Sequence, residues 1–153
     1  MHQLHKLGAI VSLSARSPLH RHYTIDDIER LYGAAMASDQ VKLFMASEYP
    51  EHFIVPRYDW PVAFVTWALM SDDSRDAYVR QTRLLEGEDF VSGADLWVID
   101  FVAPYGAVRE IVRDVRADLS RRYPHQHAHW IRNNMTAERR LGRVTRERQI
   151  AQG

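Results

Sequence analysis

A chain of 153 residues is long enough to bury a substantial core and too short for two ordinary domains, so we expect one domain over residues 1–153 with a frayed tail at about 138–153. Its 46% hydrophobic and 26% charged residues are ordinary for a globular protein; no apolar run reaches the roughly 18 residues of a membrane span, and Ser12, Ser14 and Arg16 interrupt the N-terminal stretch before it reads as a secretory leader. Without such a leader a cytoplasmic protein is expected; twenty basic residues balance twenty acidic ones, which disfavours nucleic acid as a partner, and the lack of cysteine excludes disulfides and thiolate chemistry without identifying a compartment.

Residues 15–23, "ARSPLHRHY", make a tight turn. Taken alone, it is a loop that caps the next helix and leaves His20, Arg21 and His22 in solvent. That helix follows in "TIDDIERLYGAAMA", residues 24–37, where Ile25, Ile28, Leu31, Tyr32 and Ala35 recur at helical spacing behind a Thr24/Asp27 capping box. "EHFIVPRYDWPVAFVTWAL", residues 51–69, reads as two strands joined around Arg57 to Trp60. The second is apolar on both faces, with Val62, Phe64 and Ala68 on one side and Ala63, Val65 and Trp67 on the other, as in a central strand. Residues 71–95 are polar and turn-rich, which predicts one short helix and a mobile stretch.

"LWVIDFVAPYG", residues 96–106, is a buried strand carrying one carboxylate, Asp100, on the side shared by Val98 and Val102. A buried acid requires a partner, which points either to a structural ion pair or to a functional role. After Pro104, Tyr105 and Gly106 the pattern becomes helical, with Val108, Ile111, Val112, Val115 and Leu119 on one face and Arg121 and Arg122 at the end. A strand, turn and helix junction of this kind aims backbone N–H groups at an anion such as a phosphate. His125, His127 and His129 alternate, as in a metal-binding face, but no carboxylate or fourth ligand follows at suitable spacing. An extended strand with solvent-facing histidines is the expectation, and the tail from residue 137 onward adds a last short strand.

Three stretches, "LGAIVSLSARSPLHR" (7–21), "PVAFVTWALM" (61–70) and "LWVIDFVAPYG" (96–106), together resemble the toxin-activating lysine acyltransferases, the "C" proteins encoded beside RTX protoxins. The resemblance implies an α+β fold like that of the GNAT acyltransferases, with a mixed, mostly antiparallel sheet flanked by helices. It implies an enzyme that moves a fatty acyl group from acyl carrier protein, its co-substrate, to internal lysines of an RTX-type protoxin, with no permanently bound cofactor or metal. Homodimers are also known among such proteins. The family's catalytic positions fall on His20 and Asp100; Ser17, Arg21, Trp67, Tyr105 and Gly106 are the expected binding positions. Two departures stand out: Thr66 replaces a serine before Trp67, and Gly93-Ala94-Asp95-Leu96-Trp97 lacks the arginine of the family's Gly-Asp-Arg-x-Trp pattern.

The chemistry is consistent with those residues. A lysine ammonium, with a reference pKa of about 10.4, needs a base before it can attack a thioester, and an imidazole is suited to that. Asp100 would then orient His20, as in a triad. Alternatively His20 accepts the acyl group itself. A GNAT-like enzyme for a small amine, or a non-catalytic binding module, are the competing readings. A working site requires His20 and Asp100 to meet at a cleft.

Overall fold

The computed structural model describes residues 2–54 and 58–131, so the strand expected beyond residue 137 lies outside the described residues. The first element, α1 (Gln3–Ala15), has no strong sequence signature, because serines interrupt its apolar face. His2 caps it, accepting from Leu4 N, and Ile10, Leu13 and Ser14 turn inward. Overlapping turns then carry the chain through Ser17 to Tyr23.

The predicted helix begins at its capping box, Thr24 with Asp27, but is not uniform. It runs as α2 (Ile25–Ile28), a π-helical turn (Glu29–Gly33) and α3 (Ala34–Ala37). The wider turn changes the helical phase. Tyr32 and Ala35 are fully buried, whereas Ile25, expected on the same face, is 85% exposed.

The sheet has the order β1-β2-β3-β4, formed by Val41–Met45, Pro61–Met70, Asp95–Val102 and His129–Trp130. β1 to β3 are antiparallel and β4 runs parallel to β3. β2 is central, as its two apolar faces require. Its first partner, however, is Val41–Met45; residues 51–53 of the expected strand form turn and bend instead, and residues 55–57 lie outside the described residues. The signal in β1 is masked by Lys42, which reaches out to Asp118 at 3.0 Å. The bulge between Phe44 and Met45 leaves Val62 unpaired, so Val62 joins Ala63 and Val65 on one face instead of Phe64.

One face of the sheet packs on α1 and the α2–α3 segment through Ile10, Leu13, Tyr32, Phe64, Trp97 and Val102. The other packs on α5 (Val108–Arg122), whose Ile111, Val115 and Leu119 meet Phe44, Val65, Trp67 and Val98. Each such side chain contributes about 1.5–3 kcal/mol when fully buried. Residues 71–95, expected to be mobile, are instead tied down. Ser71 caps α4 (Asp72–Arg80), and buried Asp89 accepts from Arg83, Ser74 and Glu86 N. Gly93 lies against β2, where a Cβ would come within 2.5 Å of Met70 O. The expected histidine strand shrinks to two residues: His125 and His127 are exposed, while His129 stacks on Trp97 at 4.9 Å.

Candidate active site

His20 reaches its place because the turns after α1 fold the chain back under the sheet, with His20 N and Arg21 N both donating to Ser17 O. The imidazole is 5% exposed, not solvated as the turn alone predicts. Its Nδ1 lies 2.7 Å from Ser17 Oγ and its Nε2 lies 2.9 Å from Asp100 Oδ1. A carboxylate accepts, so Nε2 carries the proton and the Ser17 hydroxyl donates to Nδ1. The result is a buried hydrogen-bond chain from Ser17 through His20 to Asp100.

A break in the β2–β3 register aims Asp100 at His20. Thr66 pairs with Asp100 and Trp67 with Val98, leaving Ile99 as the extra residue. One inserted residue reverses the alternation beyond it. Asp100 therefore does not share a side with Val98, which packs toward α5; Val102 packs with the α1 layer. The Thr66 hydroxyl accepts from Asp100 N at 3.1 Å and so anchors the bulge.

Behind the pair, among the described residues, Asp100 Oδ2 is buried without a hydrogen-bond partner, as are Ser14 Oγ and the Tyr32 hydroxyl. The Tyr32 hydroxyl neighbours both Ser14 and Asp100. Burial first, and the Asp100 charge second, hold the phenols of Tyr23, Tyr32 and Tyr78 well above the usual tyrosine range. These phenols stay protonated and can donate, not compete, beside the carboxylate.

A cavity of about 440 Å³ opens onto the pair, with Leu19, Ile99, Val102, Val112, Trp130 and Ile131 among its walls. Its walls bring Ile99, Asp100 and Val102 of β3 beside Trp130 and Ile131; among the described residues β3 and β4 pair at Trp97 with His129 and at Val98 with Trp130. Ser17, His20 and Asp100 all line it. The other expected positions do not. Trp67 is buried on the α5 side, where its Nε1 donates to Tyr123 OH at 2.9 Å and the Arg122 guanidinium sits 5.2 Å from the ring centre. Alternation along a strand placed it in the core but not on a particular side. Arg21 is exposed, with its Nε directed at His22. Tyr105 is 47% exposed and lies outside the cavity wall, as does Gly106, whose φ of 98° makes the turn into α5. Ala107 precedes that helix at φ 55° and gives it no side-chain cap.

Sequence reasoning missed Thr66 as an anchor, Ile99 as the bulge, Tyr32 as a neighbour of Asp100, and Arg116 on the cavity wall. For Arg116 the signal was available, because it falls one helical turn after Val112. A guanidinium also reaches Asp95 within the departing motif, supplied by Arg75 of α4 at 3.3 Å.

An α+β fold with a four-stranded mixed open sheet flanked by helices, and a buried His–Asp pair beside a cavity, is consistent with a GNAT-like acyltransferase fold. The profile of the RTX toxin acyltransferase family (HlyC) matches residues 1–146, and the chain belongs to that family. It is 34% identical over 110 residues to the RTX-III toxin-activating lysine-acyltransferase ApxIIC of Actinobacillus pleuropneumoniae, covering 72% of this chain and 57% of that protein. Against the protein-lysine myristoyltransferase HlyC of Escherichia coli the identity is 32% over 100 residues, 65% of this chain and 52% of that one. The protein-lysine palmitoyltransferase CyaC of Bordetella bronchiseptica is 32% identical over 118 residues, 77% of this chain and 57% of its own length. The chain thus spans between half and two thirds of each of these relatives.

Proposed function

We propose that this chain acts in the cytoplasm as a protein-lysine acyltransferase, moving a fatty acyl group from acyl carrier protein to lysine ε-amines of an RTX-type protoxin. The observation that carries the reading is the Ser17–His20–Asp100 hydrogen-bond chain lining an apolar cavity. Relatives named for lysine myristoyl and palmitoyl transfer support the class of acyl group. In the reaction the lysine nitrogen bonds to the thioester carbonyl carbon and the carbon–sulfur bond breaks. The proton leaving nitrogen passes to the imidazole and then to the departing thiolate.

Nδ1 is the basic nitrogen, and the Ser17 hydroxyl seated on it is the relay through which the lysine proton arrives. Asp100 keeps Nε2 protonated and stabilises the imidazolium formed when Nδ1 takes that proton. With both ring nitrogens engaged, the base role is better supported than acylation of His20, which would break one of the two bonds. The wall residues Leu19, Ile99, Val102 and Val112 suit an alkyl chain and keep water from the thioester.

Mass spectrometry of a protoxin coexpressed from the same locus tests this reading. Wild-type enzyme should leave a fatty-acyl mass on specific lysines, and His20→Ala should abolish it while the protein remains folded. Absence of the adduct with folded wild type and loaded carrier protein would sink the proposal.

A further inference from the structure

The charges of α5 are sorted by side. Glu110, Asp114 and Asp118 recur every fourth residue and are engaged: Glu110 lies 3.6 Å from His52, Asp114 accepts from Tyr49 OH at 2.7 Å, and Asp118 meets Lys42 at 3.0 Å and Arg121. Arg109, Arg113 and Arg116 occupy a different stripe, beside Val108 and Val112. Arg116 and both valines line the cavity. All three arginines are exposed. Arg113 has a 3.5 Å contact with its neighbour Asp114, and among the described residues Arg109 and Arg116 have no hydrogen-bond or ion-pair partner.

A helix face arranged for solubility alone interleaves its signs at i and i+4. Here the acids keep a stripe of their own, each engaged by a partner, and Asp114 meets the arginine stripe at Arg113. In a chain with a formal net charge of zero, this leaves a local positive face at one rim of the cavity.

We propose that Arg109, Arg113 and Arg116 form the docking surface for an acidic face of the protein that delivers the acyl group. The proposal rests on the reading of the site as an acyl-transfer centre. Charge decides between the two macromolecules that must approach the cavity. The donor presents its thioester on an arm joined by a negatively charged phosphodiester, which the guanidiniums attract and can bind bidentately. The acceptor brings a lysine ammonium, which they repel within a Debye length of about 8–10 Å. Rim charges of this kind set encounter rate, partner choice and salt dependence.

The experiment is surface plasmon resonance of fatty-acyl-loaded acyl carrier protein on three proteins: wild type, Arg109→Glu/Arg113→Glu, and Arg121→Glu, which lies on the stripe of Glu110, Asp114 and Asp118. Wild-type binding should weaken as salt rises, and the double variant should bind roughly tenfold more weakly or worse, a change of about 1.4 kcal/mol. Arg121→Glu should stay within about twofold, since its partner Asp118 lies on the acidic side. Arg109→Gln/Arg113→Gln, with matched thermal melts, guards against misfolding and should lose affinity in the same direction. Turnover on a small acyl-pantetheine thioester should be unchanged in both double variants. The docking surface is refuted if wild type does not bind the carrier, if the double variants bind it as well as wild type does, or if Arg121→Glu weakens binding equally. Lysine acylation from the small thioester is read separately, so the acyl-transfer reading stands or falls on its own.

Discussion

Asp89 and Asp100 are both buried carboxylates, 3% and 8% exposed, yet their surroundings differ in kind. Asp89 is saturated: Arg83 clasps both oxygens at 2.7 Å, Ser74 donates to one and Glu86 N to the other. The Arg83 hydrogen bonds hold its carboxyl well below the usual range. Asp100 is anchored through its backbone and through one oxygen on His20, while among the described residues its second oxygen makes no hydrogen bond. A fully partnered carboxylate stabilises a loop; one left partly unpartnered next to an imidazole is available for chemistry. The two acids are therefore expected to separate cleanly into stability and turnover.

The largest effect falls on the His20–Asp100 pair. Asp100→Asn should lower kcat for lysine acylation on the order of 10³-fold by removing the acceptor that fixes the imidazole tautomer, with little change in the urea midpoint. A large loss of stability in that variant would erase the distinction from Asp89. Next comes Asp89→Asn, which should destabilise the fold by about 2 kcal/mol at neutral pH, allowing for the half-exposed Arg83, and leave kcat of the folded enzyme intact. The sign follows from the lowered carboxyl: its contribution is present above the ordinary carboxylate range and disappears as pH falls through the folded value. Urea melts should therefore show the wild type and variant converging in acid; a gap that persists there would refute the assignment. Smallest is Tyr32→Phe, which keeps the ring against Phe64 and removes the hydroxyl facing Asp100. A fall of a few-fold in kcat at constant KM is expected, since the phenol dipole beside the Asp100 charge is lost. An unchanged kcat would show that Asp100 does not use its second neighbour.

Much of the site was legible before the fold. His20 follows Ser-Pro-Leu in a turn and Asp100 interrupts an apolar strand, both unusual enough to be noticed, and they meet at 2.9 Å. The central place of β2 and the buried face of α5 also follow from periodicity, because each element is long and regular. β1 was harder, since Lys42 breaks its alternation and the neighbouring "EHFIV" has stronger strand character. The segment around Asp89 looked mobile because its residues are polar, although their polarity is spent on one another.

By itself the sequence determined which residues are chemically unusual and which elements are amphipathic, since both are properties of local composition and spacing. Tertiary structure decided which side each residue faces. The extra Ile99 reverses alternation in β3, turning Asp100 toward His20 while Val98 stays with α5; the unpaired Val62 moves to the opposite face in the same way. Trp67, equally apolar in its surroundings, ends on the far side of the sheet from the cavity. A bulge is set by how two distant strands register, and no local pattern in either strand encodes that pairing.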